Sequence, residues 1–335
     1  MIDPHPLFLP VDRYLHPLLP EIWFGVVLFT LVMYVALDGF DFGVGILYAT
    51  RADETERETL LAAFGPVWDA NEVWLVAFGT VLLAAFPPVY SRLLSDHYLL
   101  AIAIVLALLF RGVAPELREQ REEERWQRAC DRSFVFGSLA SPFLLGTLVG
   151  SWAFGTGTLS LPSLLTGVAV VSLSITAGGA YLSAKTDGAL RAGMVRYGLF
   201  ATLAYLGSAV VLLAVLVVGH ADVRASILAP SGLAVVTATV VVGLTGFVLA
   251  ARGRYRAWFA STALLATLLV TLVAVVLYPS VYPAAGLTVR DAVVSPLALN
   301  LVTVIGLPVL ALVLWYFKYL YSVFSGPVDS DGYSA

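Results

Sequence analysis

Long apolar segments separated by short polar stretches make up most of this chain. Nine of them are long enough to cross a bilayer, which takes about 20 residues of α-helix. They cover residues 21–49, 67–90, 95–115, 133–155, 162–184, 194–219, 230–251, 257–278 and 295–323. Only the short RGRYR turn separates the seventh from the eighth, and Pro308 is expected to kink the ninth. The pattern predicts an all-α, polytopic membrane protein with about nine transmembrane helices.

The composition supports a membrane protein rather than a soluble one. Of the 335 residues, 59% are hydrophobic and 13% are charged, whereas about 25% are charged in a soluble domain. The one cysteine, Cys130, lies in a charged loop, which excludes a disulfide or a cysteine metal site within the chain. Residues 1–20 lack the residue order of a secretory signal and are predicted to form an extracytoplasmic or interfacial arm. We expect membrane lipids around this chain and no nucleic-acid partner.

Basic residues are divided unequally between the two sides that nine helices define. If the loops after odd-numbered helices share one side, that side holds 15 of the 19 Lys and Arg residues, and the other side holds 4. The positive-inside rule then places the N-terminus outside and the C-terminus in the cytoplasm. The loop 116–132 on the cytoplasmic side is dense in charges of both signs, which predicts a solvated helical extension with i,i+4 pairs.

Two acids lie near the end of the first segment, in the sequence DGFDFGVG. An ionised carboxylate inside a membrane is costly, so it needs a partner, a water-filled cavity or a proton. Asp38 and Asp41 are three residues apart and therefore share a helix face. Gly39 and Gly43 are four apart and form a small-residue ridge that lets another helix approach closely. A plainer interpretation is that both acids lie at the helix end and reach interfacial water.

A second acidic pair opens the second segment, in the sequence PVWDANEVW. Asp69 and Glu72 are three residues apart and also share a face. Asp-x-x-Glu at a helix start is typical of a capping box, and acids there suit the helix dipole. The same two acids could equally carry protons, and the two roles are compatible. Trp68 beside them fits an interfacial aromatic belt as well as a cofactor contact.

Arg111 ends the third segment on the same side as these four acids. It either extends to the interface, as long basic side chains do, or neutralises one of the acids. Neighbouring acids favour a shared proton, which at this end of the helices suits proton uptake from the cytoplasm. In the late segments, Asn300 is the one polar position of interest, and we expect a helix–helix hydrogen bond there rather than a site.

The residues that could ligate haem are poorly placed for it. Haem in a helix bundle usually needs axial His, Met or Cys ligands. In the topology above, all histidines lie outside the membrane or at outer helix ends; they are His5, His16, His97 and His220. Met33 lies deep in a helix, where a lone methionine is more typical of packing. The chain is therefore predicted to be a poor haem binder by itself, and it carries no phosphate-binding loop or dinucleotide fingerprint.

Several motifs resemble those of one known family. They are ALDGFDFGVGIL, GPVWDANEVWL, FPPVYS and LFRGVAPELR in the first three segments, with weaker matches at YPSVYPA and DAVVSPLALNLVTV. Together they resemble the second subunit of cytochrome bd quinol oxidases over nearly the whole chain. The chain departs from that family at Ala70, where a glycine is usual, and in outer loops that are short after the fourth and sixth segments.

The resemblance implies a heterodimer with a larger subunit I, which holds haems b and d and oxidises quinol while oxygen is reduced to water. It implies that this chain stabilises the oxidase in a prokaryotic plasma membrane and contributes to a proton path from the cytoplasm. Asp38, Asp41 and Asp69 fall in the matching motifs and take that role, Asp69 with most weight, and Glu72 lies beside them. A structural quinone occurs in some members, and the sequence decides neither its position nor the presence of a small third subunit.

The resemblance also implies two four-helix bundles plus one peripheral helix. The first bundle would span residues 21–155 and carry the acidic motifs, and the second would span 156–278. Residues 279–335 would hold an outer loop, the ninth helix and a cytoplasmic tail.

Two other functions are compatible with acids in the membrane. A proton-coupled transporter would use them to bind substrate or protons, and such proteins often show broken helices at matching positions of two halves. The interruptions here, at Gly178-Gly179 and Pro308, do not pair in that way. A purely structural scaffold without a proton role would differ from the oxidase subunit only in the phenotypes of its mutants.

Overall fold

The computed structural model describes residues 9–324, 326–329 and 332–333, and these are almost entirely helical. The helices are α1 (Leu19–Tyr48), α2 (Glu54–Phe64), α3 (Trp68–Ala85), α4 (Pro87–Asp96), α5 (Tyr98–Arg118), α6 (Glu124–Phe154), α7 (Leu161–Lys185), α8 (Gly188–Gly219), α9 (Ala221–Leu228), α10 (Pro230–Ala251), α11 (Tyr255–Leu277), α12 (Val289–Ala292) and α13 (Pro296–Val323). Two short antiparallel hairpins pair β1 (Ser280–Tyr282) with β2 (Leu287–Thr288), and β3 (Val328–Asp329) with β4 (Gly332–Tyr333).

Eight helices of the described chain are long and apolar enough to cross a membrane, namely α1, α5, α6, α7, α8, α10, α11 and α13. A ninth span results if α2 and α3 are counted together, since they meet at a bend of 48°. The prediction of an all-α, polytopic membrane protein with about nine spans is therefore confirmed.

The second predicted segment, 67–90, is wrong as a single helix. α3 ends at Ala85, and Phe86 leaves the helical region with φ −134° and ψ 61°. A new helix starts at Pro87, because proline suits the first turn of a helix, where its missing N–H is not needed. This helix, α4, buries Val89 in a hydrophobic core shared with residues of α1, α3, α6 and α11.

The short turn predicted between the seventh and eighth segments is present. α10 ends at Ala251 and α11 begins at Tyr255, and Gly253 between them has a φ of 68°, which favours glycine. α13 continues through Pro308 as one helix.

α1 lies at the centre of the described chain. It packs against α3, α6, α7 and α11, while α5 packs along α6, α8 along α7, and α10 along α11. α13 lies at the edge, where it contacts α3 and leaves most of its surface exposed. Because α1 has neighbours on several sides, its polar side chains face other helices instead of lipid.

Small residues let α1 and α7 approach each other closely. A Cβ on Gly43 would lie 2.7 Å from the carbonyl carbon of Ser174 and 2.9 Å from the Cα of Gly178, too close for carbon atoms. A Cβ on Gly39 would meet the Ser174 Oγ at 3.9 Å, which is an ordinary contact. The predicted small-residue ridge is therefore present, and Gly43 is the position in it that requires glycine.

Asn300 has a different role from the predicted one. It is buried, and its Nδ2 donates hydrogen bonds to the carbonyl oxygens of Pro10 and Arg13, both at 3.0 Å. Its Oδ1 accepts a hydrogen bond from the backbone N–H of Leu15 at 2.9 Å. The prediction of a helix–helix hydrogen bond is wrong, because the side chain lies near the start of α13, where the N-terminal arm crosses this helix.

The charged stretch 116–132, which was predicted as a solvated helical extension with i,i+4 pairs, is mostly helical. α5 extends to Arg118 and α6 begins at Glu124. The predicted i,i+4 pairing occurs between Arg128 Nη1 and Glu124 Oε2, which lie 3.0 Å apart. Cys130, which was expected in the loop, lies inside α6 and is only 7% exposed. The reason is that the first turns of α6 already pack along the end of α5.

Candidate functional site

Arg111 is the centre of a buried ionic cluster at one end of the helices. Its Nη2 lies 2.7 Å from Asp38 Oδ1 and 3.9 Å from Asp41 Oδ2, and its Nη1 lies 3.8 Å from Glu72 Oε2. The side chain is 1% exposed. Arg111 therefore neutralises acids, as one interpretation of the sequence predicted, and the alternative that it extends to the interface is wrong.

The two aspartates are fully enclosed by the helices around α1. Asp38 and Asp41 are both 0% exposed, which excludes the interpretation that they reach interfacial water. Their spacing of three residues brings both carboxylates to the face of α1 that meets Arg111 on α5. Glu72 reaches the same guanidinium from α3. The cluster therefore combines charged groups from three helices, α1, α3 and α5.

Asn71 is part of the site, although sequence reasoning missed it. Its Nδ2 donates a hydrogen bond to Asp41 Oδ2 at 2.8 Å, and its Oδ1 accepts one from the Tyr321 hydroxyl at 2.8 Å. The edge helix α13 is thereby connected to the buried acids. The sequence feature that could have identified it is its position directly before Glu72, in a helix that is mostly apolar after its first turns.

Aromatic rings cover the guanidinium of Arg111. Its Cζ lies 4.4 Å from the centroid of the Phe42 ring and 5.8 Å from that of Trp68. Cation–π contact of this kind stabilises a cation that has left water. Trp68 is thus a neighbour of the buried charge.

Asp69 lies apart from the cluster. α3 begins at Trp68 with Val67 as the capping position, and no side chain caps this helix end. The predicted capping box of Asp69 and Glu72 is therefore wrong, because the N-cap position is Val67, two residues before Asp69. Asp69 is exposed in the first turn, and within the described part of the chain it makes no ion pair.

The charges of the cluster do not balance when all its acids are ionised. One guanidinium faces three carboxylates. A bound proton on one carboxylate would remove its repulsion with the other two. The arrangement can therefore hold and release a proton in addition to its structural ion pairs.

A second polar cluster lies closer to the surface at the same end. Asp131 on α6 accepts hydrogen bonds from the Tyr48 hydroxyl at 2.6 Å and from Arg118 Nε at 2.9 Å. Arg57 Nη1 lies 3.4 Å from its other oxygen, and Arg118 also pairs with Glu54. Sequence reasoning missed this cluster, because nothing distinguishes Asp131 from the many charges next to it.

His97 does not fit as a haem ligand in this structure. His97 is buried, with Nδ1 3.0 Å from the Leu93 carbonyl oxygen and Nε2 2.8 Å from Ser151 Oγ, so both ring nitrogens are engaged. His16 is exposed on the arm, and His5 falls outside the described residues. Met33 packs against an aromatic cluster, as predicted.

The family model described as cytochrome bd terminal oxidase subunit II matches residues 19–324. This chain belongs to that family. The match covers the Arg111 cluster on α1, α3 and α5, and it confirms the resemblance noted from the motifs.

Curated relatives in three bacteria carry corresponding names. Cytochrome bd ubiquinol oxidase subunit 2 of Bacillus subtilis (strain 168) is 36% identical over 189 residues, which is 52% of this chain and 55% of the relative. Cytochrome bd-I ubiquinol oxidase subunit 2 of Escherichia coli (strain K12) is 35% identical over 189 residues, 50% of this chain and 49% of the relative. A probable cytochrome oxidase subunit 2 of Haemophilus influenzae is 30% identical over 216 residues, 59% and 56% respectively. The chain thus spans about half the length of the curated relatives it matches.

A solved structure shares the fold. A chain of the bd oxidase from Geobacillus thermodenitrificans superimposes with a TM-score of 0.74 at 19% identity, over 90% of this chain and 98% of that one. The two chains therefore share the same helical fold.

Proposed function

We propose that this chain is subunit II of a cytochrome bd-type terminal oxidase in a prokaryotic plasma membrane. The oxidase would couple quinol oxidation to the reduction of oxygen to water, with haems b and d held by a larger subunit I. The chain would pair with and stabilise subunit I, and it would not be catalytic alone. The family membership and the names of the relatives support this function.

The distribution of basic residues supports an orientation with the N-terminus outside and the C-terminus in the cytoplasm. In that orientation the Arg111 cluster lies toward the cytoplasm, from which protons for oxygen reduction would be taken.

We further propose that the acidic residues contribute to proton uptake, and the buried Arg111 cluster is the observation that carries this proposal. Asp69 is exposed at the start of α3, the Glu72 side chain is 28% exposed, and Asp41 and Asp38 are fully buried beyond it. These groups form a series from the surface to the interior, with water spanning the gaps that side chains do not. Their partner in the interior is the guanidinium, which holds the acids close to one another.

Neutral variants of the two outermost acids test this role. Asp69→Asn and Glu72→Gln keep size and remove the ionisable group, and since Asp69 does not cap α3, its replacement leaves the helix end unchanged. We expect both variants to assemble with normal haem content and quinol oxidase turnover to fall several-fold or more. Glu58→Gln is the matched control, because Glu58 is an exposed acid on the neighbouring α2, and its turnover should stay normal.

Turnover, haem content and proton uptake are measured on the same purified complexes. Normal turnover with unchanged proton uptake in both assembled variants would contradict the proton role and leave the structural scaffold as the better account. An equal loss of turnover in the Glu58→Gln control would show that the effect comes from surface charge in general.

A further inference from the structure

Tyr34 is a buried tyrosine next to the Arg111 cluster. It lies at the middle of α1, four residues before Asp38, so the two side chains share a helix face. The residue is 3% exposed, and its ring meets the Phe42 ring edge-on with 6.4 Å between the centroids. A phenylalanine would fill this place equally well, so packing does not account for the hydroxyl.

The hydroxyl of Tyr34 and the acid beside it both lack hydrogen bonds. Tyr34 Oη and the Asp38 carboxylate are close enough to interact electrostatically, but their geometry is not that of a hydrogen bond. Within the described chain neither Tyr34 Oη nor Asp38 Oδ2 has a hydrogen-bond partner. Buried polar groups in native proteins are nearly always hydrogen-bonded, either to protein atoms or to ordered water. A donor and an acceptor left open on one helix face therefore indicate a site for water beside them.

A cavity of about 70 Å³ adjoins Tyr34, between α1, α3, α6, α7 and α11. A water molecule needs about 10–15 Å³ of such space, so the cavity has room for several. Its lining is mostly apolar, and a cavity of this kind holds water only where polar groups bind it. The hydroxyl-bearing side chains among its described lining residues are Tyr34, Thr166 and Ser174, and the Thr166 hydroxyl already donates to the Pro162 carbonyl oxygen at 2.8 Å. Water in this cavity would therefore be held mainly by Tyr34 and Ser174.

We propose that Tyr34 is the inner end of the proton series formed by the acids, and that its hydroxyl passes protons between Asp38 and water in this cavity. The hydroxyl oxygen accepts a proton from the Asp38 carboxyl group, directly or through one water molecule, as its own proton moves onward along the hydrogen-bonded water. The carboxyl group becomes a carboxylate, the phenol is unchanged overall, and no oxidant or reductant takes part. This inference rests on the proposed proton uptake: Glu72 and Asp38 bring the proton as far as the Arg111 cluster, and Tyr34 leads from it toward the middle of α1.

Tyr34→Phe tests this role, because it removes the hydroxyl and keeps the ring. In the purified complex we expect normal assembly and haem content, an unfolding temperature no lower than that of the unchanged complex, an unchanged KM for quinol and a kcat that is several-fold lower. The solvent deuterium isotope effect on kcat should rise, because proton transfer then limits the rate more strongly. A purely structural role of the hydroxyl would lower the unfolding temperature and leave the isotope effect as it is.

Tyr205→Phe is the matched control. Tyr205 is a buried tyrosine of α8, 1% exposed, and it packs in a different hydrophobic cluster from Tyr34. Its replacement should leave kcat and the isotope effect normal. An equal loss in this control would show that the effect follows the loss of any buried hydroxyl, which would overturn the inference.

A density map of the unchanged complex that resolves ordered water is the second measurement, and it does not depend on activity. We expect water within hydrogen-bond distance of Tyr34 Oη on the side of the cavity. If none lies there, whether the cavity is dry or holds an apolar molecule, the inference is overturned. Unchanged kcat and isotope effect in Tyr34→Phe, while Asp69→Asn and Glu72→Gln lose turnover, would also overturn it and leave the proposed function standing. Normal turnover in all three variants would overturn both.

Discussion

Gly43 is the position where a single methyl group should have the largest structural effect. It lies in α1, two residues after the buried Asp41, and it faces the backbone of α7. In Gly43→Ala the new Cβ would lie 2.7 Å from the carbonyl carbon of Ser174 and 2.9 Å from the Cα of Gly178. Both of these are backbone atoms, so no side-chain rotation can relieve the clash.

The size of the effect follows from these distances. Carbon atoms in contact lie about 3.5–4.0 Å apart, so α1 and α7 must separate locally by about 1 Å. Overpacking of a well-packed site typically costs about 1–3 kcal/mol, and we expect the upper end of that range because the backbone itself must move. A cost of about 3 kcal/mol lowers the ratio of folded to unfolded protein by about a hundredfold.

The assay is the thermal unfolding of the purified protein, followed by the loss of its monodisperse peak in size-exclusion chromatography. Two alanine variants of α1 serve as controls. A Cβ on Gly25 would meet nothing within 4 Å, and one on Gly39 would meet Ser174 Oγ at an ordinary 3.9 Å. In a helix such changes stabilise by about 0.5–1 kcal/mol. We expect Gly43→Ala to unfold at least about 5 °C below both controls, and an equal unfolding temperature would refute the close packing of α1 on α7.

Three further predictions concern the ends of the molecule. Arg111→Gln leaves the buried acids without their cation, which should cost about 3–5 kcal/mol and strongly reduce the amount of assembled protein, and Arg111→Lys should recover part of it. Asn300→Ala removes three hydrogen bonds to the N-terminal arm, worth about 1 kcal/mol each, so a protease should cleave the arm faster while the helices stay intact. Burial and the hydrogen bond to Asp96 raise the pKa of Tyr282 above its ordinary value, so the stabilising effect of its hydroxyl is fully present below about pH 10 and decreases progressively as the pH rises above that. Proteolysis of the β1–β2 hairpin should therefore accelerate above that pH, and Tyr282→Phe should remove the pH dependence.

The membrane architecture could be predicted from the sequence because it depends on local composition. Any segment of about 20 apolar residues satisfies its backbone hydrogen bonds as a helix and partitions into lipid, whatever the rest of the chain does. Eight spans and the turn at Gly253 followed from that reasoning. The second span did not, since the break at Phe86 interrupts a segment that is apolar on both sides.

The buried acids could also be predicted, because a charge stands out in an apolar segment. Asp38, Asp41 and Arg111 were identified in this way, and the structure brings them together. The sequence offered two roles for Arg111 and two environments for the aspartates. The tertiary structure decided between them: α5 packs along α6, and the side chain of Arg111 is enclosed where it meets the acids of α1.

Contacts between residues far apart in the chain were decided by the tertiary structure alone. Asn71 meets Tyr321 across 250 residues, and Asn300 meets Leu15 across 285. Such pairs depend on which helix faces turn toward each other and on the height at which each helix sits, and neither property is encoded in local periodicity. The different positions of Asp69, exposed, and Glu72, paired with Arg111, follow from where α3 begins and how it is rotated. Sequence spacing placed both acids on one face, and the packing of α3 against α1 put only Glu72 within reach of the buried charge.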